Sequence, residues 1–496
     1  MFIPNIFQLR RMFFPAVFIS VLFFSVNNVN AQIGIGTNNP NPSAELDVYS
    51  NTRGLLLPRM STPQRKAIVN PAIGLLVFDT DKNSLYLYDG AKWTAVGSFT
   101  DKDLPPFTRE LTQSQVNDHL GFSVAMDSNY AFIGAPLDSI NGTGRQGAVY
   151  VMKKDTTTGW QFHAKLTASD VAAGDYFGYS VSIKDDYAVV GTYNATTTGA
   201  AYIFMRTGNT WAQQAKLTAI DGAGGDLFGA AVSIYGDYVL VGAPKDDESG
   251  IIDCGSAYMF SRTGTAWAQQ EKFVAVDKTS FDGFGTVVVL NGDKLVIAAP
   301  TDTVGSDPFS NLFLGSAYPY KKNGNTWLPL RKLRSPTRNL VDGLLNLGKA
   351  ASIDGNYAVI GEGGVGGNRA QTYICADSGW IFQSTLTVPP GITSRYGTSV
   401  CLSGDYLAIG GTTILPFTTC CYPGRVFCYQ RTGNTWTLIK TIDKIDASTN
   451  GYTLGRAVAI DGNSLDVLIG SPGNSSGSEI NQNLSVKGAF YFTNLQ

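Results

Sequence analysis

The chain has 496 residues, a formal net charge of −2, 55 glycines, 11% aromatic and only 15% charged side chains. That balance suits a turn-rich, β-rich globular protein and argues against a disordered chain or a coiled coil. A charge so close to zero supplies no basic field for nucleic acid.

Residues 1–31 read as an export signal. Arg10 and Arg11 precede the apolar run Met12 to Val26, and Val29-Asn30-Ala31 offers a small-residue cleavage site. The run is short for an uncleaved anchor, and no later stretch is apolar enough to cross a bilayer, so no membrane span is expected after cleavage. No cysteine follows the cut, which argues against a lipoprotein, and the mature chain is expected to start at Gln32 and to be secreted or held at the cell surface. Residues 32–100 form a separate, small β-rich module. Within it Ser61 or Thr62, followed by Pro63 and Gln64, predicts the start of a short helix, with proline where its missing N–H is harmless. Leu75 to Asp79 and Ser84 to Asp89 predict a hairpin ending near Trp93, and Asp101 to Pro106 reads as a linker.

From 106 to 496 one unit recurs. Its clearest copy opens at Asp226-Leu227-Phe228-Gly229 and runs on through Ala230 to Ile234. A turn at Gly236-Asp237, the run Tyr238 to Val241 and the stop Gly242-Ala243-Pro244 follow. An acidic loop then leads to Gly255-Ser256-Ala257-Tyr258, and a turn at Arg262-Thr263-Gly264 leads to a last run from Trp267. Four strand-length runs between Gly, Asp and Pro signals predict a four-stranded antiparallel meander. The first glycine recurs at 121, 178, 229, 285, 348, 397 and 455, at steps of 49 to 63 residues. The second marker recurs at Gly134, Gly191, Gly242, Ala298, Gly361, Gly410 and Gly470. The third-strand aromatic recurs at Tyr150, Tyr202, Tyr258, Tyr318, Tyr373, Phe427 and Tyr491. Three markers agree on seven units, which predicts an all-β chain: a seven-bladed β-propeller of four-stranded antiparallel blades behind the N-terminal module. The seventh unit ends after its third strand, so Phe107 to Thr112, which resembles the fourth strands Lys165-Leu166-Thr167 and Lys216-Leu217-Thr218, is expected to complete it and close the ring.

The pairing of Phe-Gly at the start of one strand with Gly-Ala-Pro at the end of the next resembles the FG-GAP repeat of the integrin alpha-subunit propeller. The match is strong in the first three blades and degenerate elsewhere; Leu347, Tyr396 and Leu454 replace Phe in blades five to seven. The resemblance implies an exported, non-catalytic adhesion or ligand-binding protein, with a protein or glycan at a cell surface as its partner. The module at 32–100, with Gly34-Ile35-Gly36-Thr37, Ala44-Glu45-Leu46-Asp47-Val48 and Gly54-Leu55-Leu56-Leu57-Pro58-Arg59-Met60, is similar to one found on exported, fibre-like surface proteins of Gram-negative bacteria. That likeness implies presentation or homo-oligomerisation, as a trimer; a β-rich spacer fits the residues equally well.

Blade topology puts the short turns on one face and the long, variable loops on the other, where binding usually resides. Asp170, Asp175, Asp221, Asp226, Asp277 and Asp282 fall on the long-loop face, as does His119, and these are the candidate ligand-binding residues. The integrin calcium loops have no counterpart here, since those positions are tight turns. The acidic loops would suit Ca²⁺ or a cationic partner, with Asp246, Asp247 and Asp253 as candidate Ca²⁺ ligands; carboxylates that act only as turn formers are the competing reading. His119 and His163 are the only histidines, and no zinc-hydrolase or Ser-His-Asp spacing exists, so no enzyme is expected. A lectin or a carboxylate-pair glycan-processing enzyme using the same face is the alternative function. Of six cysteines, Cys375, Cys401, Cys420, Cys421 and Cys428 fall in blades five and six, and one or two local bridges are expected in blade six.

Overall fold

The computed structural model describes residues 33–35, 46–48, 50, 55–82, 84–95, 107–108, 118–140, 144–170, 172–194, 198–303, 313–336, 345–364, 368–376, 379–389, 395–412, 424–442, 454–472 and 489–495. The signal segment, the linker 101–106 and Cys420-Cys421 lie outside these residues. The chain divides into two compact units, 1–98 and 99–496.

In the first unit Ile33–Ile35 pairs in parallel with Leu46–Val48. A second sheet joins Arg59–Met60, Leu76–Asp79, Ser84–Tyr88 and Trp93–Ala95. The helix Thr62–Lys66 starts where the sequence predicts. Ser61 caps it, Gln64 closes a capping box, and Pro63 occupies the first turn. Behind it Arg65 is buried on the Asp79 carboxylate at 2.7 Å, with its guanidinium 3.8 Å from the Tyr86 ring centre. Burial alone would raise the Asp79 pKa; the Arg65 and Thr62 hydrogen bonds outweigh it and hold the carboxyl below its ordinary value.

The second unit holds, among the described residues, seven four-stranded antiparallel sheets. In the third blade the strands are Ala231–Tyr235, Tyr238–Ala243, Ser256–Thr263 and Ala266–Phe273. Inner strands of successive blades touch one another, and the inner strand of the seventh, Ala457–Asp461, touches that of the first, Val124–Asp127. Phe107–Thr108 pairs with Tyr491 and Phe492, so the start of the unit supplies the outer strand of the last blade. The ring closes as the sequence predicts; residues 109–112 of that expected strand lie outside the described set.

Blades meet through glycine. A Cβ on Gly242 would come 2.0 Å from the Gly285 carbonyl oxygen, and one on Gly229 would come 2.3 Å from that of Ala200. The two marker positions of the repeat are therefore contact points between successive blades. Side chains fill the seams around them. Phe228 and Tyr258 are fully buried edge to face at 5.5 Å, and Phe177 and Tyr202 repeat the pair one blade earlier at 5.6 Å.

The described cysteines Cys254, Cys375, Cys401 and Cys428 are not joined to one another. Cys401 and Cys428 lie on the first and third strands of blade six, each paired to Ala408 on the strand between them. That intervening strand, rather than a bridge, links the two positions.

Gly229→Val is expected to cost roughly 1–3 kcal/mol through overpacking, with about a further 1 kcal/mol from placing a branched residue at its positive φ. Gly236→Asn, in a turn with open space around it, is the control and should change stability by less than about 0.5 kcal/mol. Equal melting temperatures for the two variants would remove the seam contact as the role of the marker glycine.

Candidate functional site

The structure gives most of the acidic residues on the long-loop face a structural task. Three sit just after outer strands and reach the next blade: Asp170 meets Lys216 at 2.6 Å, Asp221 meets Lys272 at 2.7 Å, and Asp277 meets Lys332 at 2.8 Å. Lys272 also holds Asp246 at 2.8 Å and Glu248 at 2.9 Å, and Lys332 pairs with Asp302. The Tyr258 hydroxyl donates to Asp246 at 3.2 Å, as Tyr150 does to Asp138 at 2.7 Å and Tyr318 to Asp302 at 3.1 Å. A carboxylate two residues after Gly-Ala-Pro thus takes the third-strand tyrosine and the outer-strand lysine. Burial alone would lower the Lys272 pKa, but its three carboxylates raise it well above the ordinary lysine value.

A second set staples turns. Asp175 accepts the Ala172 amide at 2.6 Å, Asp226 accepts that of Ala223 at 2.6 Å, and Asp282 accepts the Thr279 amide and, at 2.6 Å, its hydroxyl. Each carboxylate fixes the bend into a Phe-Gly position. Asp226 and Asp282 are buried, and burial first, then neighbouring carboxylates, pushes both pKa values up.

The expected metal ligands do not assemble. Asp246 is committed to Lys272 and Tyr258, Asp247 accepts the Asp253 amide at 2.7 Å, and Asp253 faces Lys245 at 3.8 Å. Among the described residues no group of three His, Cys, Asp or Glu side chains is placed to hold a metal ion. His119 is buried, and burial, then the charges of Arg456 and Arg145, depress its pKa. Of the predicted site residues, Asp253 lines a cleft.

That cleft, of about 300 Å³, lies on the long-loop face over blades two to four. Its walls include Tyr179, Tyr193, Leu227, Pro244 and Phe281, with Lys245 and Asp253 among its polar groups. Tyr179 and Tyr193 stack at 4.2 Å and 17°. The residues after the Phe-Gly glycines explain where it opens. They are Phe122, Tyr179, Ala230, Thr286, Lys349, Thr398 and Arg456. Phe122 contacts Tyr179 at 4.8 Å, and the Arg456 guanidinium lies 4.8 Å from the Phe122 ring centre, so adjacent blades bring these positions together. Where blades three and four place the small Ala230 and Thr286, space remains, and both line the cleft. The sequence carried this signal, as the variable residue next to an invariant repeat glycine.

One prediction separates turn staple from ligand. The raised pKa of Asp226 favours its protonated form in the folded state, so its contribution is present below about pH 4, the unfolded value, and is lost as pH rises through the folded value. Asp226→Asn keeps an oxygen for the Ala223 amide and removes that loss. Melts at two pH values should show the variant at least as stable as the parent at pH 7, with the advantage gone near pH 4. A loss above about 1 kcal/mol at pH 7 would show that the charge itself is needed.

The sequence repeats match known families. The FG-GAP repeat model matches residues 113–152, 160–204, 211–260 and 267–318, and the model of a phage tail like trimerisation region matches 34–114. The second to fourth FG-GAP matches each run from an outer strand through the third strand of the next blade, one strand out of phase with the sheets. No curated protein matches the chain. Among solved structures, a chain of the mitotic checkpoint complex is similar at 12% identity and TM-score 0.44, covering 78% of this chain and 90% of that one. A Lactobacillus plantarum protein is similar at 13% identity and TM-score 0.43, covering 74% of this chain and 99% of that one. Neither likeness bears on what the chain does. The propeller therefore carries four FG-GAP repeats between 113 and 318, preceded by an N-terminal module that matches a phage tail like trimerisation region.

Proposed function

We propose that the protein is an exported, non-catalytic adhesion or ligand-binding module, presented as a homotrimer by its N-terminal region and binding through the long-loop face of an integrin-alpha-like propeller. The observation that carries this reading is the cleft among loops of three blades, on a scaffold whose other acidic loop residues are committed to lysines and turns. Loops on a rigid scaffold are the usual place for recognition. The N-terminal region supports the trimer in a second way. Leu55, Leu56, Val69 and Ile73 are exposed there, and apolar surface of that kind suits a subunit contact.

Three binding faces on one particle would raise apparent affinity for a surface by roughly 10²–10⁴. Sedimentation of the chain from Gln32 should give a trimer, and of the chain from Asp101 a monomer. On a panel of immobilised glycans and cell-surface proteins, the trimer should hold its targets at least about 10²-fold more tightly than the monomer. A monomer from Gln32, or no retention of either form across the panel, would overturn the proposal.

A further inference from the structure

The cleft has a composition that selects a class of ligand, a selection that rests on the reading of the long-loop face as the binding face. Its two charged groups, Lys245 and Asp253, lie 3.8 Å apart and offset one another. The lining therefore presents no net charge to a strongly ionic ligand, and one carboxylate cannot coordinate a metal alone.

The floor is made of hydroxyls around a glycine. Gly283 occupies the position held by His119, Tyr176, Leu227 and Asn346 in other repeats, all at positive φ. A Cβ there would come 3.1 Å from both Thr286 Oγ1 and Thr301 Oγ1. The missing side chain thus opens the space between the two oxygens. Both hydroxyl protons are already used: Thr286 donates to the Gly283 carbonyl at 2.6 Å and Thr301 to that of Asp282 at 2.8 Å. Both threonines therefore retain acceptor capacity alone. With Asp253 they make an acceptor-rich floor and rim, beside the donor Lys245.

The walls are aromatic. Phe281 is 57% exposed, and its φ of 68° is a conformation bulky residues rarely adopt. Such a residue is held in place by its surroundings and, where it presents a side chain, points to function. Its amide donates to the Ile252 carbonyl at 3.0 Å, which anchors it to the loop that carries Asp253. Tyr179 and Tyr193 supply further ring surface.

We propose that this cleft binds a neutral carbohydrate. A sugar ring offers an apolar face for the aromatic side chains and a rim of O–H donors for Thr286, Thr301 and Asp253, with one oxygen accepting from Lys245. A volume of about 300 Å³ is at the small end of ligand sites, roughly 300–1,000 Å³, and has room for about one or two pyranose rings.

The test uses the full mature chain on arrays of neutral, anionic and cationic glycans, followed by calorimetry with the free monosaccharides glucose, galactose, mannose, fucose and N-acetylglucosamine. Neutral glycans should bind, and at least one of these sugars should give a saturable isotherm. Gly283→Asn places between the two hydroxyls a residue that blade five already accommodates as Asn346 at positive φ, so it should fold and lose binding at least about tenfold. Phe281→Ala should lose a similar factor, while Asp185→Asn on the opposite face should bind as the parent does. Binding of anionic glycans alone, or sugar binding unchanged by Gly283→Asn, overturns the proposal. A peptide ligand that is lost with Gly283→Asn, in the absence of any sugar binding, also overturns it but leaves the binding face standing. Binding that no cleft variant alters removes both.

Discussion

Seven sheets can form a ring here because successive blades meet at the marker positions, backbone to backbone where both markers are glycine; between blades four and five Ala298 stands against Gly348 instead. Gly134 abuts the Gly178 carbonyl, Gly242 that of Gly285, Gly410 that of Gly455 and Gly470 that of Gly121, each at a spacing where a Cβ would fall about 2 Å from the oxygen. The last of these contacts joins the end of the chain to its beginning. Serines reinforce the seams, since Ser123, Ser180 and Ser399 each donate to the glycine carbonyl of the following blade at 2.8 Å.

Charge then ties the rims. On the long-loop face an aspartate after one outer strand reaches a lysine of the next blade. On the short-turn face a third-strand cation covers the tyrosine that opens the second strand of the blade before. Arg262 lies 4.3 Å from the Tyr187 ring centre, Lys322 3.9 Å from Tyr238 and Arg431 3.6 Å from Tyr357. Each such contact contributes roughly 0.5–2 kcal/mol, and the repeat multiplies it. A family resemblance that draws the eye to aspartates therefore leads, in this chain, to the rivets between blades.

Much of the fold was legible because repetition converts weak local signals into a register. Glycine, proline and tyrosine markers located every inner and third strand, and the missing outer strand after Tyr491 pointed to Phe107. The helix start at Ser61 was legible from its cap. The candidate site was less so, for a physical reason. Whether a carboxylate is free depends on which lysine lies across the seam, and the pairing of Asp221 with Lys272 joins residues on different blades. Nor does sequence show that Gly283, a turn residue by its local signal, leaves two threonine hydroxyls uncovered.

If the backbone seams hold the ring together, no blade can open without its neighbours. Native-state hydrogen exchange of the propeller tests this directly, at the glycine amides that bond back to the second strand, among them Gly121, Gly178, Gly229, Gly285 and Gly455. All five should exchange only through one shared global opening, with the same free energy and the same denaturant dependence. Exchange of Gly121 and Gly455 through a separate, lower-energy opening, while Gly178, Gly229 and Gly285 stay protected, would contradict a ring held by its seams.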